Sequence, residues 1–338
     1  MKVLVTGGGG LLGGRIVTLL RGRGDEVRSL ARGRHAGIEA AGAHGVQVDL
    51  RDRDGVRRAA DGVDVVFHAA ALTAPWGPGK EFWSINVEGT RNLLEAARAA
   101  GVRRLVHTST PSVIGYGHDV ENGDSTLPRA GRHESHYAAS KAVAEEMVLA
   151  ANGPALATIA LRPHALFGPG DRLLLPRVIA RARAGTLVMV GDGRNKVDLT
   201  YVDNAAWAHL DACDALTSHA AACAGRAYFV SNDEPVVLWE WLARLLDALE
   251  LPPVRRRLPL GAARVIGGAL EWVYGALPIR GEPSLTRFLA STLARSHWYS
   301  MDEAKRDLGY RIRVPMAEAT ERTIASLRAA PAPVSRSA

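Results

Sequence analysis

Short apolar, β-branched runs alternate with amphipathic stretches through the first half of the chain. Val3–Thr6, Glu26–Leu30, Val46–Val48, Val63–His68, Arg104–Ser109 and Ala157–Arg162 read as strands, each a brief hydrophobic run bounded by turn residues. Leu11–Arg23, Glu81–Ala100 and Ser135–Ala151 carry apolar positions at helical spacing between them. The strands lack strict alternation, so both faces of their sheet are expected to be covered. Strand, helix, strand in repetition predicts a parallel sheet, and right-handed crossovers make it an α/β, doubly wound fold.

The rhythm loosens after residue 165, where Pro163, Gly168, Pro169 and Gly170 punctuate the chain. A helix is expected over Arg177–Ala184 and a strand over Leu187–Val190, with a return to the first unit at Tyr201–Leu210. The predicted organisation is a first domain over 1–165, rejoined by a return segment of about 195–235. A smaller, mostly helical cap takes 166–194 and 236–327, and a Pro/Ala/Ser-rich tail at 328–338 is expected to be flexible.

Composition narrows this little. The chain has 338 residues, 47% of them hydrophobic, enough for one large domain with a subdomain. The net charge of +7 comes with no nucleic-acid motif, so it reads as an arginine-rich surface and no DNA or RNA partner is expected. Cys213 and Cys223 form no C-x-x-C pair and have no histidine at ligand spacing. Neither a disulfide framework nor a metal site is expected, which fits a reducing cytoplasm. Met1 runs straight into the strand-like KVLVT, so no secretory leader is read. The apolar stretch 258–279 is broken by Arg264 and Glu271 and is too interrupted to span a bilayer.

The run VTGGGGLLGG (5–14) does change the picture. Gly8, Gly10 and Gly13 fit G-x-G-x-x-G, and Gly7, Gly10 and Gly13 fit the wider G-x-x-G-x-x-G. Either spacing, between a first strand and a first helix, suits a dinucleotide: glycines let the backbone approach a pyrophosphate, and the helix N-terminus, with Leu11 and Leu12, faces it. No acid stands at 29–34, after the second strand, where an NAD-selective fold holds the ribose hydroxyls. Arg32 and Arg34 follow instead, and an arginine there can pair with a 2′-phosphate. NADP(H) is favoured, with NAD(H) open. Asp49 and Leu50, after the third strand, are placed near the adenine, and the small residues Ala69, Ala70 and Ala71 let backbone lie against the cofactor. Thr108, Pro163 and Leu166 sit at the same carboxyl edge of the predicted sheet.

Tyr137 stands four residues before Lys141 in a chain whose other lysines are only Lys2, Lys80, Lys196 and Lys305. Four residues is about one helical turn, so both side chains share a face. Reducing a carbonyl by hydride needs a proton for the developing alkoxide, and a free phenol with a pKa of about 10 is a poor acid–base group near neutrality. A nearby ammonium is expected to lower it, and Lys141 can also hold ribose hydroxyls. A hydroxyl opposite the tyrosine steadies the carbonyl oxygen. Thr110 is the candidate, with Ser112 and Ser109 as alternatives from HTSTPS (107–112).

TGGGGLLG, HAAA, NVEGT, TSTPSVIGYG, YAASK and LRPHALFGPGD occur in the order of the extended short-chain dehydrogenase/reductases, which the chain resembles over nearly its whole length. The resemblance implies that Tyr137, Lys141 and Thr110 form the triad, with threonine for the usual serine, and that Asn86 lies under the site. Sugar 4,6-dehydratases carry Asp-Glu where this chain has Pro111 and Ser112. Nucleotide-sugar epimerases place an arginine where VDLTYV begins with Val197. The first departure argues against dehydration, and the second suggests a substrate without a diphosphate.

TYVDNAAWAHL and TSTPSV are similar to the 3β-hydroxysteroid dehydrogenase-like branch. LPIRGEP, TRFLAS and HWYSMDEAKRDLGY extend the likeness to the bacterial 2-alkyl-3-oxoalkanoate reductases of long-chain olefin biosynthesis. That resemblance implies NADPH-dependent reduction of a 3-keto acid to the 3-hydroxy acid. It also implies assembly with thiolase-like, β-lactone synthetase and β-lactone decarboxylase partners; a homodimer is compatible with it. An apolar carboxylic acid needs a long greasy pocket. Leu258, Val265, Ile266, Leu270, Trp272, Val273, Leu277 and Leu289 are the cap candidates, and Arg280 or His164 could meet the carboxylate. Two alternatives remain: a 3β-hydroxysteroid or sterol-4-carboxylate 3-dehydrogenase, and a non-catalytic NADP(H)-binding sensor on the same fold.

Overall fold

The computed structural model describes residues 1–115, 117–277, 279 and 281–329. Seven parallel strands form the main sheet: β1 (Lys2–Thr6), β2 (Glu26–Ala31), β3 (His44–Gln47), β4 (Val65–His68), β5 (Arg104–Thr108), β6 (Ala157–Pro163) and β7 (Ala227–Val230). Their spatial order is β7-β6-β5-β4-β1-β2-β3, so the direction of winding reverses between β1 and β4. That is where a doubly wound sheet opens its ligand crevice. β7 was not among the expected strands; AYFV is too short to separate from a buried helix turn by pattern.

Both faces of the sheet are covered, as the continuous apolar runs require. Val3 and Val5 of β1 face one core with Phe67, Ile16 and the helix Val202–Ser218. Leu4, between them, faces the other with Val66, Leu93 and Leu105. The helix predicted over Glu81–Ala100 is interrupted by a wide π turn at Trp83–Glu88, which carries Asn86. Such turns cost hydrogen-bond geometry and tend to occur at functional sites.

The cap has its own core, in which Phe167, Leu175, Trp239 and Trp241 pack with Met316 of the last helix, Met316–Ala329. Residues 297–310 turn back onto the first domain: Tyr299 stacks on Phe229 at 4.0 Å, and the Tyr310 hydroxyl donates to Ser231 O. A small sheet of Val236–Val237, Lys196–Val197, His297–Tyr299 and Val120–Gly123 joins the two units. Strands this short leave no periodic trace in a sequence. The expected tail falls largely on 330–338, outside the described residues. Among the described residues no helix is long and apolar enough to cross a membrane.

Candidate active site

A cavity of about 910 Å³ runs from the glycine turn across the carboxyl ends of the strands and up under the cap. At one end the chain turns at Gly7, whose φ of +76° suits glycine, and the helix Leu11–Gly22 begins after Gly10. A Cβ on Gly7 would lie 2.8 Å from the Ala70 backbone, and one on Gly13 would lie 2.2 Å from Gly7 O. The loop and the β4 terminus are thus packed backbone to backbone, a cradle that any side chain would fill. The wider glycine spacing is the one that lines the cavity; Gly8 instead packs against Ser29.

Of the expected cofactor contacts, Gly7, Gly10, Leu11, Leu12, Gly13, Arg32, Asp49 and Leu50 line this end. Ala69, Ala70, Ala71, Thr108, Pro163 and Leu166 line it farther along. Arg34 does not: it is exposed beyond the turn and off the cavity wall. The Asp49 carboxylate is gripped by Arg51 at 2.7 and 2.9 Å, and that bond holds its pKa below the ordinary value. This glycine cradle at a helix N-terminus, beside the reversal in strand order, fits a dinucleotide.

The reacting groups come from two elements. The helix His136–Ala150 starts with Ser135 capping the Ala138 N–H, which places Tyr137 in its first turn and Lys141 one turn on. The end of β5 brings Thr108, Ser109 and Thr110 opposite. The three hydroxyls have different duties. Thr108 Oγ1 meets His209 Nε2 at 2.8 Å, and Ser109 Oγ donates to Glu145 at 2.6 Å. Thr110 Oγ1 lies 2.7 Å from Ser112 Oγ and shares a hydrogen bond with the Tyr137 phenol. Thr110 is therefore the hydroxyl available to a carbonyl beside Tyr137, with Ser112 behind it.

Electrostatics here depart from the expectation. Tyr137 is half-buried on the cavity wall; burial pushes its phenol up, and the Thr110 bond opposes it. Lys141, 2% exposed, turns its Nζ to Thr108 O at 2.7 Å and His107 Nε2 at 3.1 Å, and burial drops its pKa to about 7. The ammonium is spent on β5 rather than on the phenol, so it does not pull the tyrosine down.

Asn86 sits where the resemblance put it. Its amide bonds both Leu72 N and Leu72 O and donates to Ser140 Oγ at 2.9 Å, tying the loop after β4 to the active helix. The sequence reading missed the anchor on that helix's far side. Buried Glu145, one turn past Lys141, accepts two bonds from Arg162 at 2.7 and 2.8 Å. Glu145 and Arg162 are an acid in the helix pattern and a base inside an apolar strand, a pairing that the run ATIALRP does signal.

Of the expected substrate residues, Ser112 and His164 line the cavity. His164 has Nδ1 2.6 Å from Asp198 O and its ring against His297, and burial drops its pKa to about 3. It is neutral and cannot supply charge to a carboxylate. Arg280 lies outside the described residues. Of the cap candidates only Leu289 lines the cavity. Val265 and Trp272 are each 74% exposed on the outer face of the helix Leu260–Ala276. That helix is held by its small face: a Cβ on Gly267 would meet the Thr286 backbone at 2.7 Å. The apolar wall is built instead by Leu174, Val178, Trp239, Leu242, Phe288 and Leu293.

Comparison with known proteins agrees with this site. The 3-beta hydroxysteroid dehydrogenase/isomerase family model matches residues 4–260. A 2-alkyl-3-oxoalkanoate reductase of Stenotrophomonas maltophilia (strain K279a) is 47% identical over 96% of this chain and 99% of its own. A decarboxylating sterol-4-alpha-carboxylate 3-dehydrogenase of Mus musculus is 36% identical over 96% of this chain and 90% of its own. Among solved structures, a dTDP-glucose 4,6-dehydratase from Streptomyces venezuelae with NAD bound superposes with a TM-score of 0.75 at 27% identity, covering 97% of each chain. The fold, the nucleotide cradle and these relatives lead to one conclusion: the chain belongs to the 3-beta hydroxysteroid dehydrogenase/isomerase family and is an NAD(P)-dependent oxidoreductase of the short-chain type.

Proposed function

We propose that the protein reduces the 3-keto group of a long-chain 2-alkyl-3-oxoalkanoate to the 3-hydroxy acid, with NADPH as the reductant and Tyr137 as the general acid. The observation that carries this reading is one continuous cavity, with Tyr137 and Thr110 at its polar waist and the apolar cap wall beyond them. Bound dinucleotide supplies the hydride. Thr110, backed by Ser112, donates a hydrogen bond to the ketone oxygen and polarises it. Tyr137 then passes its proton to the oxygen as negative charge develops there. With its pKa raised by burial, Tyr137 carries its proton at neutral pH and so has one to give. Lys141 orients the dinucleotide through its ammonium, and Asn86 fixes the backbone at Leu72 beside it.

The cap wall suits two hydrocarbon tails, each buried methylene contributing about 0.8 kcal/mol. With His164 neutral, Arg172 and Arg181 on the same wall supply the charge for the carboxylate; the third arginine there, Arg177, is paired with Glu282. Arg32 at the end of β2, where no acid stands, supports NADPH over NADH. The name of the Stenotrophomonas relative supports the substrate class. In this reading the protein works in olefin biosynthesis, beside thiolase-like, β-lactone-forming and β-lactone-decarboxylating partners. The second reading, oxidation of a sterol-4-carboxylate or 3β-hydroxysteroid, is favoured by the mouse relative.

The test follows NADPH absorbance with a long-chain 2-alkyl-3-oxo acid, and NAD(P)H formation with a 3β-hydroxysteroid. Consumption with the keto acid is expected, and it should fall by about 10³-fold or more in Tyr137→Phe while NADPH still binds. Turnover of the sterol alone would select the second reading. No turnover of either by protein that binds NADPH would leave a sensor. Near-normal activity of Tyr137→Phe would refute the mechanism.

A further inference from the structure

His107 has no duty in the reaction as described, yet it touches the lysine that does. It stands in β5 in register with His68 of β4, the rings 5.0 Å apart, and is fully buried. Its Nε2 lies 3.1 Å from Lys141 Nζ, and its Nδ1 has no hydrogen-bond partner among the described residues. An ammonium can only donate, so when Lys141 is charged the His107 Nε2 must carry the lone pair. The imidazole proton is then on Nδ1, an N–H left without an acceptor. Burying an unpaired N–H is costly. That tautomer is favoured only where the bond made at the other nitrogen outweighs the cost.

We propose that His107 is a positioning residue: as the Nδ1-protonated tautomer it accepts from the Lys141 ammonium through Nε2 and holds that side chain, with Thr108 O, in the geometry from which it meets the dinucleotide. The groups facing Lys141 fit this role. His68 and His107 are both kept neutral by burial, so neither repels the ammonium. Neutral His209 stands behind Thr108, bonded to its hydroxyl. The acid that acts on Lys141 is Glu145, one turn along its own helix, which raises its pKa against desolvation. Lys141 therefore titrates near neutrality, at about 7, where each acceptor shifts its charge state.

The sign is fixed. Removing an acceptor disfavours the ammonium, so the Lys141 pKa falls and charge is lost at lower pH. The inference rests on the Tyr137–Lys141 reading, so the test reads cofactor binding and not turnover; a wrong substrate leaves it intact. NADPH affinity is measured against pH by fluorescence for wild type, His107→Leu and His107→Gln. The alkaline limb should move down by about one pH unit in His107→Leu, and His107→Gln, whose amide oxygen can accept, should restore most of it. Superimposable pH curves for folded wild type and His107→Leu, or glutamine behaving as leucine, would overturn the proposal. If His107→Leu does not fold, ¹⁵N shifts of His107 in the wild-type NADPH complex decide it. Protonated Nδ1 with bare Nε2 is expected; protonated Nε2 overturns it.

Discussion

Replacing Glu145 by Gln should destabilise the protein and blunt its acid response. Glu145 has no exposed side-chain surface and binds three donors: Arg162 through two nitrogens, Ser109 Oγ at 2.6 Å and Arg129 Nε at 3.2 Å. Arg162 is 4% exposed, lies over the Phe229 ring, and already has Nη1 without a hydrogen-bond partner among the described residues. Glutamine keeps the size but leaves the Arg162 charge buried without its anion. Breaking such a pair costs about 3–5 kcal/mol, set against a total stability of roughly 5–15 kcal/mol. The loss should appear as a lower midpoint in urea, followed by tryptophan fluorescence at neutral pH.

The pH dependence gives a second reading of the same network. Arg162, Ser109 and Arg129 hold the folded Glu145 pKa below its ordinary 4.5, against the upward pull of burial. The unfolded state then takes up the proton first as pH falls, so the stabilisation is present above about 4.5 and is lost below it. Wild type should lose stability through that window more steeply than Glu145→Gln. Replacing both partners, as Glu145→Leu with Arg162→Met, should recover much of the single-mutant loss, because no charge is left stranded. A Glu145→Gln variant within about 1 kcal/mol of wild type, or a double variant with additive losses, would refute this account.

Gly13→Ala should weaken NADPH binding by tenfold or more, in a calorimetric titration, because its Cβ would stand 2.2 Å from Gly7 O and only a backbone shift of the cradle relieves that. Arg32→Ala should weaken NADPH by about 10–100-fold and NADH by less than about twofold, since the proposed cofactor assignment gives Arg32 one charge-assisted bond to the 2′-phosphate. Arg34→Ala should leave both unchanged, because Arg34 is off the cavity wall. Equal losses for the two cofactors in Arg32→Ala would undo the assignment of Arg32.

The sheet was legible because burial on both faces writes an unbroken apolar run, and β1, β2, β3, β4, β5 and β6 all fall within two residues of their expected bounds. The cap was less so. Val265, Ile266 and Trp272 recur at helical spacing, which reveals an apolar face but not where that face points. Here the small residues Ala263 and Gly267 meet the body, and the large ones face outward. His107 had a trace that the reading passed over: VVFH and LVHT each carry a histidine at matched register, at or one residue before the end of a central strand. A buried base repeated on neighbouring strands is unusual unless something polar lies between them.

Spacing along a helix fixes which side chains share a face, and the Tyr137–Lys141 pair was read correctly to that extent. It does not fix the sign of either pKa shift. That sign depends on what each tip meets across the gap, and the partners come from another element. For Lys141 they are Thr108 O and His107 of β5, and for Tyr137 the partner is Thr110. The lysine is anchored away from the phenol, the phenol stays protonated, and the threonine stands ready to share the oxygen. A depressed phenol would start from its deprotonated form, the form that a general base needs. This site, with burial dominant, holds the phenol in its protonated form, the form that a general acid needs.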